Sequence, residues 1–287
     1  MRIIIVSGLS GAGKSITLHM LEDLGYYCVD NLPVALLAGF VEHAHGYLTH
    51  GIFERCAVGI DARNPPQDIA AIPEVVARIR DRGIDCDVIY LSADEEALIK
   101  RYSETRRRHP LTSDGHGLRD ALAREHRLML PISSIADLII DTTHTNVHQL
   151  RELVRERIDQ RASTRLSLLF QSFAYRNGVP SDADFVFDVR SLPNPHWHPD
   201  LRPQTGLDDP VREFLNEQPS VNKMFDDVRG FLAQWIGDFE KTNRSYLTVA
   251  IGCTGGQHRS VYMANRLAQH FSDRYTNVLT QHRELPG

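Results

Sequence analysis

Apolar residues in the first half of the chain fall in short unbroken runs, separated by stretches where they recur every three or four positions. The runs at 2–7, 26–29, 57–60, 87–91 and 138–140 read as buried strands, and the segments 14–24, 66–82, 93–108, 117–130 and 146–161 as amphipathic helices. This alternation predicts βαβ units around a parallel sheet with helices on both faces, a three-layer α/β domain over residues 1–161. The alternation then restarts. Strands are expected at 165–170, 246–251 and 277–280, and helices at 209–217, 221–239 and 258–271, with Ser220 as the cap of the second. The Pro- and His-rich stretch 192–205 fits no helix. A second, smaller α/β domain over 162–287 follows, with the boundary near Ala162.

Composition narrows the class. Of 287 residues, 42% are hydrophobic and 24% charged, with a formal net charge of −5. That suits a soluble globular chain and provides no global basic field for nucleic acid. The apolar runs are strand-sized, so no membrane span is expected. A strand and a glycine-rich loop at the start leave no room for a signal peptide. Cys28, Cys56, Cys86 and Cys253 are too widely spaced for a metal pair, and reduced thiols in a cytoplasm are expected of the first three.

The segment Gly8-Leu9-Ser10-Gly11-Ala12-Gly13-Lys14-Ser15 fits G-x-x-x-x-G-K-S at every position, between a strand of Ile3, Ile4, Ile5 and Val6 and a helical stretch. Its glycines let backbone N–H groups turn toward phosphate oxygens at the positive end of the following helix. Lys14 is placed to reach the β- and γ-phosphates of a nucleoside triphosphate, and the Ser15 hydroxyl to ligate magnesium. The metal's water shell needs a carboxylate at a strand end. Asp61 is the first choice and Asp30 the competitor. Arg101, Arg106, Arg107 and Arg108 form a basic cluster that is either a lid over the phosphates or a solvated helix end.

A second anion-binding pattern lies near the other end of the chain. Gly252-Cys253-Thr254-Gly255-Gly256-Gln257-His258-Arg259-Ser260 joins a strand to a helix, a turn whose backbone amides cradle anions. Cys253 and Arg259 also have the C-x5-R-S spacing of cysteine-dependent phosphatases. Those enzymes usually carry His before the cysteine and this chain carries Gly252, so a phosphate receptor ranks first and a phosphatase second. The rigid segment from Asp188 through Arg190, Asn194 and His196 suits a polar ligand such as a sugar.

The stretches GLSGAGKS, DARN at 61–64, FDVRSLPNPHW and GCTGGQHRS together resemble the RapZ/YvcJ family over essentially the whole chain. The resemblance implies a bacterial nucleotide-binding protein with weak ATPase and GTPase activity and a first domain similar to P-loop kinases. It places the nucleotide, ATP or GTP with magnesium, on the phosphate loop and a guanine-nucleotide role on Asp61, Ala62, Arg63 and Asn64. It assigns a glucosamine-6-phosphate-like ligand to Asp188, Arg190, His196, Cys253, Thr254, Gly255, Gly256 and Arg259. It also implies small RNAs and an endoribonuclease as partners, and a homo-oligomer is expected. The RNA-binding branch is Lys/Arg-rich at its C-terminus. Here the side-chain charges from His258 onward are Arg259, Arg266, Arg274 and Arg283 against Asp273 and Glu284, a weak electrostatic footprint for RNA. The rival readings are a small-molecule kinase, supported by Asp30 and the arginine cluster, and the phosphatase named above.

Overall fold

The first unit is built on a parallel sheet that starts with β1 (Arg2–Gly8), whose residues Ile3 to Val6 are wholly buried. A computed structural model describes residues 1–46, 53–105, 108–112, 117–159, 166–241 and 245–285, and divides the chain into two compact units, Met1–Gln160 and Arg161–Gly287. Beside β1 the first unit contains β2 (Tyr27–Val29), β3 (Arg55–Gly59), β4 (Asp85–Ser92) and β5 (Leu138–Asp141), in the order β2-β3-β1-β4-β5 with every pairing parallel.

Strand periodicity dictates the layers. Ile3 and Ile5 of β1, with Val58 and Val88, point to one face and meet Leu37 and Val41 of α2 (Val34–Gly46), Ile69, Ile72 and Val76 of α3 (Pro66–Asp81), and Met129 and Ile132 of α5 (Leu118–Ser133). Ile4 and Val6 point to the opposite face, which carries α1 (Lys14–Asp23) and α6 (Val147–Val154), two helices that pack on each other. The remaining helix, α4 (Glu95–Thr105), packs near α5. This is the three-layer α/β arrangement read from the alternation, with the phosphate loop at the carboxyl end of the central strand.

The second unit has β6 (Ser167–Ala174), β7 (Phe185–Asp188), β8 (Tyr246–Cys253) and β9 (Val278–His282), all parallel, in the order β7-β8-β6-β9. One face of β6 and β8 is covered by α7 (Asp209–Asn216), α8 (Pro219–Lys241) and α9 (Arg259–Ser272), with Phe170, Leu247, Val249 and Ile251 meeting Val221, Phe225, Leu232, Met263 and Leu267.

Several elements depart from the expectation. The helix at 34–46 was not anticipated, because V-A-L-L-A-G-F-V is apolar on nearly every side and carries no 3.6-residue signal. The edge strand β7 was hidden by its length of four residues. The helix α5 continues through Pro131 to Ser133, and α6 gives way at Arg155 to a π-turn over Arg155–Asp159. Ala162, the expected boundary, and Arg106 and Arg107 lie outside the described residues.

Candidate functional site

The phosphate loop runs from the end of β1 to the first turn of α1. Gly8, Gly11 and Gly13 have φ of 136°, 89° and 109°, the left-handed region in which L side chains are strained. At Gly8 a Cβ would also lie 2.1 Å from the Leu91 carbonyl oxygen on β4, so only glycine lets the chain turn there. The Lys14 ammonium donates to the Gly8 and Leu9 carbonyls at 2.8 and 3.0 Å, folding back over its own loop. Burial pulls it below its ordinary range, against the raising influence of Glu125 and Asp61.

Two residues with no role assigned from sequence, Glu125 and His109, hold the loop from beneath. Glu125 of α5 is fully buried. It accepts the Ser10 backbone N–H at 3.0 and 3.1 Å and the Ser10 hydroxyl at 2.6 Å, and lies 3.0 Å from His109 Nε2. His109 Nδ1 accepts the Leu111 N–H, so its proton sits on Nε2 and is donated to Glu125. Burial opposes ionisation of Glu125, but the hydrogen bonds from His109 and Ser10 and the charge of Lys14 outweigh it and leave the carboxyl below its usual range. Neither residue belongs to a motif. The one signal was a glutamate on the apolar stripe of a helix. Arg101, from the basic cluster, supports the loop's other side by donating to the Gly11 carbonyl at 3.1 Å and to Thr142. Arg108 instead donates to Thr112.

Asp61 lies just past β3, clasped by Arg63. The Arg63 N–H donates to Oδ1 at 2.9 Å and its guanidinium bridges both carboxylate oxygens. Burial alone would raise Asp61, but Arg63 and Lys14 bring it below the ordinary carboxylate range. Asn64 accepts the Val34 N–H and donates to the Asp61 carbonyl, tying the 61–64 turn to α2. Asp30 is exposed, with its carboxylate next to Gly59. Ser15 is exposed on the first turn of α1.

The second unit assembles its pattern at the carboxyl ends of β7 and β8. Asp188 and Arg190 form the same clasp as Asp61 and Arg63, with the Arg190 N–H at 2.9 Å and its guanidinium across both oxygens. The Arg190 guanidinium also lies 3.8 Å from the centroid of the Tyr175 ring. Arg259 is buried beneath and donates to the Arg190 and Leu192 carbonyls at 2.7 and 3.0 Å, while its Nε has no hydrogen-bond partner among the described residues. The buried Cys253 sulfur accepts the Gly256 N–H at 3.2 Å and lies 3.1 Å from the Ser260 hydroxyl. Thus Asp188, Arg190, Cys253, Gly256 and Arg259 are brought together. His196 joins them through the ring of His258, 6.4 Å away. Thr254 is exposed, with its hydroxyl accepting from the Arg259 guanidinium at 3.4 Å, and Gly255 is beside it. Tyr175 and Glu284 were missed by sequence reasoning. Glu284 accepts the Ala174 N–H and the Asn177 amide, and a Cβ on Gly256 would meet its Cγ at 2.3 Å.

Residues 1–162 match the RapZ-like N-terminal domain and residues 166–286 the RapZ C-terminal domain. The chain belongs to the RapZ family. A nucleotide-binding protein of Alkalilimnicola ehrlichii is 54% identical over 284 residues, covering 99% of this chain and 98% of that one. Another nucleotide-binding protein, from Thioalkalivibrio sulfidiphilus, is 52% identical over 286 residues, covering 99% and 100%. Among solved structures, a sugar kinase from Janibacter aligns with 55% of this chain and 95% of its own at 17% identity and a TM-score of 0.38. A deoxyadenosine kinase from M. mycoides covers 55% and 99% at 15% identity and 0.32.

Proposed function

We propose that this RapZ-family chain binds ATP or GTP at Gly8 through Ser15, hydrolyses it slowly, and senses a phosphosugar at a site in its second unit. The observation that carries the first part is the loop itself, three glycines at positive φ between the central strand and α1, with Lys14 within reach of the loop interior. A bound phosphate would take the place of the Gly8 and Leu9 carbonyls as the partner of Lys14, and loop N–H groups would hold its oxygens. The residues fit magnesium, which keeps most of its waters and needs few protein oxygens. Ser15 offers an exposed hydroxyl, and Asp61 and Asp30 both act on the charge of Lys14. When bound, the ion neutralises charge on the β- and γ-phosphates.

For the second unit, the support is an orphaned buried donor, Arg259 Nε, beside backbone amides and the exposed Asp188–Arg190 pair. A phosphosugar such as glucosamine-6-phosphate matches this mixture of cations and hydroxyl-binding groups. A phosphatase fits less well, since a side chain at position 252 would lie 2.4 Å from Phe173 and 2.5 Å from Tyr175, leaving no room for the histidine such enzymes carry. Four arginines against two carboxylates from His258 onward would neutralise little of an RNA phosphate backbone. Nucleotide turnover by the purified protein, with and without glucosamine-6-phosphate, tests the whole. No turnover in either condition and no binding of the sugar would overturn it.

A further inference from the structure

Beside the Asp61–Arg63 clasp the first unit opens into a cleft of about 680 Å³ that the phosphate loop does not use. Its polar lining is dominated by three guanidiniums, Arg63 from the 61–64 turn and Arg124 and Arg127 from one face of α5, and no carboxylate lines it among the described residues. Arg63 is already neutralised by Asp61. Arg124 and Arg127 are exposed, and neither makes an ion pair or hydrogen bond with a described residue. The cleft therefore offers two uncompensated positive charges. The rest of the lining is largely apolar, with Pro110 and Leu111 from the segment before α5 and Leu128 beside Arg124 and Arg127 on α5. The remaining polar group, the Asn64 amide, is committed to Val34 and to the Asp61 carbonyl, so little is left to bind sugar hydroxyls.

We infer that this cleft is a second anion site in the first unit, taking a small phosphate monoester with an apolar or planar body, occupied independently of the phosphate loop. A phosphate monoester carries a charge of about −1.5 to −2 at neutral pH, which matches two guanidiniums that can each bridge two of its oxygens. The apolar wall takes the body of the ligand. Glu125, between Arg124 and Arg127 in sequence, faces away toward Ser10, and the Leu111 N–H is held by His109. The cleft thus shares its two walls with the network that supports the phosphate loop.

The test uses phenyl phosphate, a dianion with a planar body, titrated into the full chain and followed by the methyl resonances of Leu111 and Leu128. Saturable shifts are expected in the parent and equally in Lys14→Ala, where the phosphate loop is disabled. Arg124→Ala with Arg127→Ala should raise the dissociation constant about tenfold or more, and the double lysine variant, which keeps charge but loses the bidentate fork, should fall between. Inorganic phosphate, lacking the planar body, and benzoate, lacking the second charge, should both bind more weakly than phenyl phosphate. Unmoved methyls, shifts indifferent to the arginine variants, or shifts lost in Lys14→Ala would each overturn the inference. Failure of the nucleotide reading shows separately, as hydrolysis that is absent or insensitive to Lys14→Ala, and leaves these shifts as they are.

Discussion

The two anion loops of this protein follow sheets whose first four strands share one order, yet they are held in different ways. The phosphate loop follows the first strand of its sheet, and its cation, Lys14, bonds to the carbonyls of the loop itself. The Cys253 loop follows the third strand of its sheet, and its cation, Arg259, bonds to the carbonyls of a neighbouring loop at Arg190 and Leu192. Beneath the first loop lies a buried carboxylate, Glu125. Behind the second lies a packed aromatic pair, Phe173 and Tyr175. In the first, releasing the cation to a ligand leaves the scaffold intact. In the second, the cation is part of the scaffold, so ligand contact and loop position are coupled.

That contrast is tested most strongly at the two cations. Lys14→Ala should slow nucleotide hydrolysis by roughly two orders of magnitude or more, because phosphate charge loses its partner in a partly dry site. Thermal unfolding should barely change, since the lysine contacts only its own loop. Hydrolysis at the parent rate would remove Lys14 from the chemistry. Next in size is Glu125→Ala, which strands the Ser10 N–H, the Ser10 hydroxyl and the His109 Nε2–H in a buried site. Its cost should be about 3 kcal/mol of unfolding free energy, read by urea titration of the first unit's signals. A loss below about 1 kcal/mol would show that water reaches Ser10 and relieves the stranded donors. Arg259→Ala should follow, weakening glucosamine-6-phosphate about tenfold to a hundredfold. Unlike Lys14→Ala it should also lower the melting temperature, because the Arg190 and Leu192 carbonyls lose their donor. Cys253→Ser should weaken the sugar far less. Phosphate release from an aryl phosphate that vanishes in Cys253→Ser would instead favour catalysis at that sulfur.

The difference between the units also explains what the sequence disclosed. Where a function is performed by backbone geometry, residue types are constrained at consecutive positions, and both loops were legible as glycine-rich turns between strand and helix. Where a function is performed by a side chain arriving from elsewhere, nothing local announces it. Glu125 and His109 are 115 and 16 residues from their partners, Ser10 and Glu125, and the contacts exist only once α5 has packed. The same holds for Arg124 and Arg127, which belong to no motif and lie within the helical stretch 117–130. The sheets were visible because parallel strands buried on both faces give unbroken apolar runs. The uniformly apolar start of α2, residues 34–41, defeated the same logic, and Phe185–Asp188 was too short to register.

Acid should separate the units more gently. Burial holds His258 and His282 below the usual histidine range, so the folded state resists a proton that the unfolded chain accepts. Stability from these two groups is complete above about pH 6.5 and is lost progressively as pH falls toward their folded values. Glu125, below its ordinary range when folded, holds its contribution until pH falls below about 4.5. Hydrogen exchange between pH 7 and 5 should therefore accelerate in β9 and the start of α9 before it does in β1 and α5. Simultaneous acceleration in both units would mean that other groups govern the acid response.

The smallest effect is expected where the two regions look most alike. Asp61–Arg63 and Asp188–Arg190 share donor, acceptor and spacing, down to the 2.9 Å bond from the arginine N–H. Their surroundings differ. The Asp61 side chain is 10% exposed and that of Asp188 is 42% exposed. An exposed pair gains little over its hydrated parts, whereas a shielded carboxylate that loses its charge leaves its guanidinium partner poorly matched. Asp188→Asn should thus leave the unfolding midpoint of the second unit unchanged within error, and Asp61→Asn should shift that of the first measurably. The amide retains the oxygen that accepts the arginine N–H but turns a donor toward the guanidinium, so each substitution can keep the backbone bond while it removes the charge and the hydrogen bonds to the second oxygen. Equal shifts in the two units would mean that the clasp acts through turn geometry alone and that its environment contributes nothing.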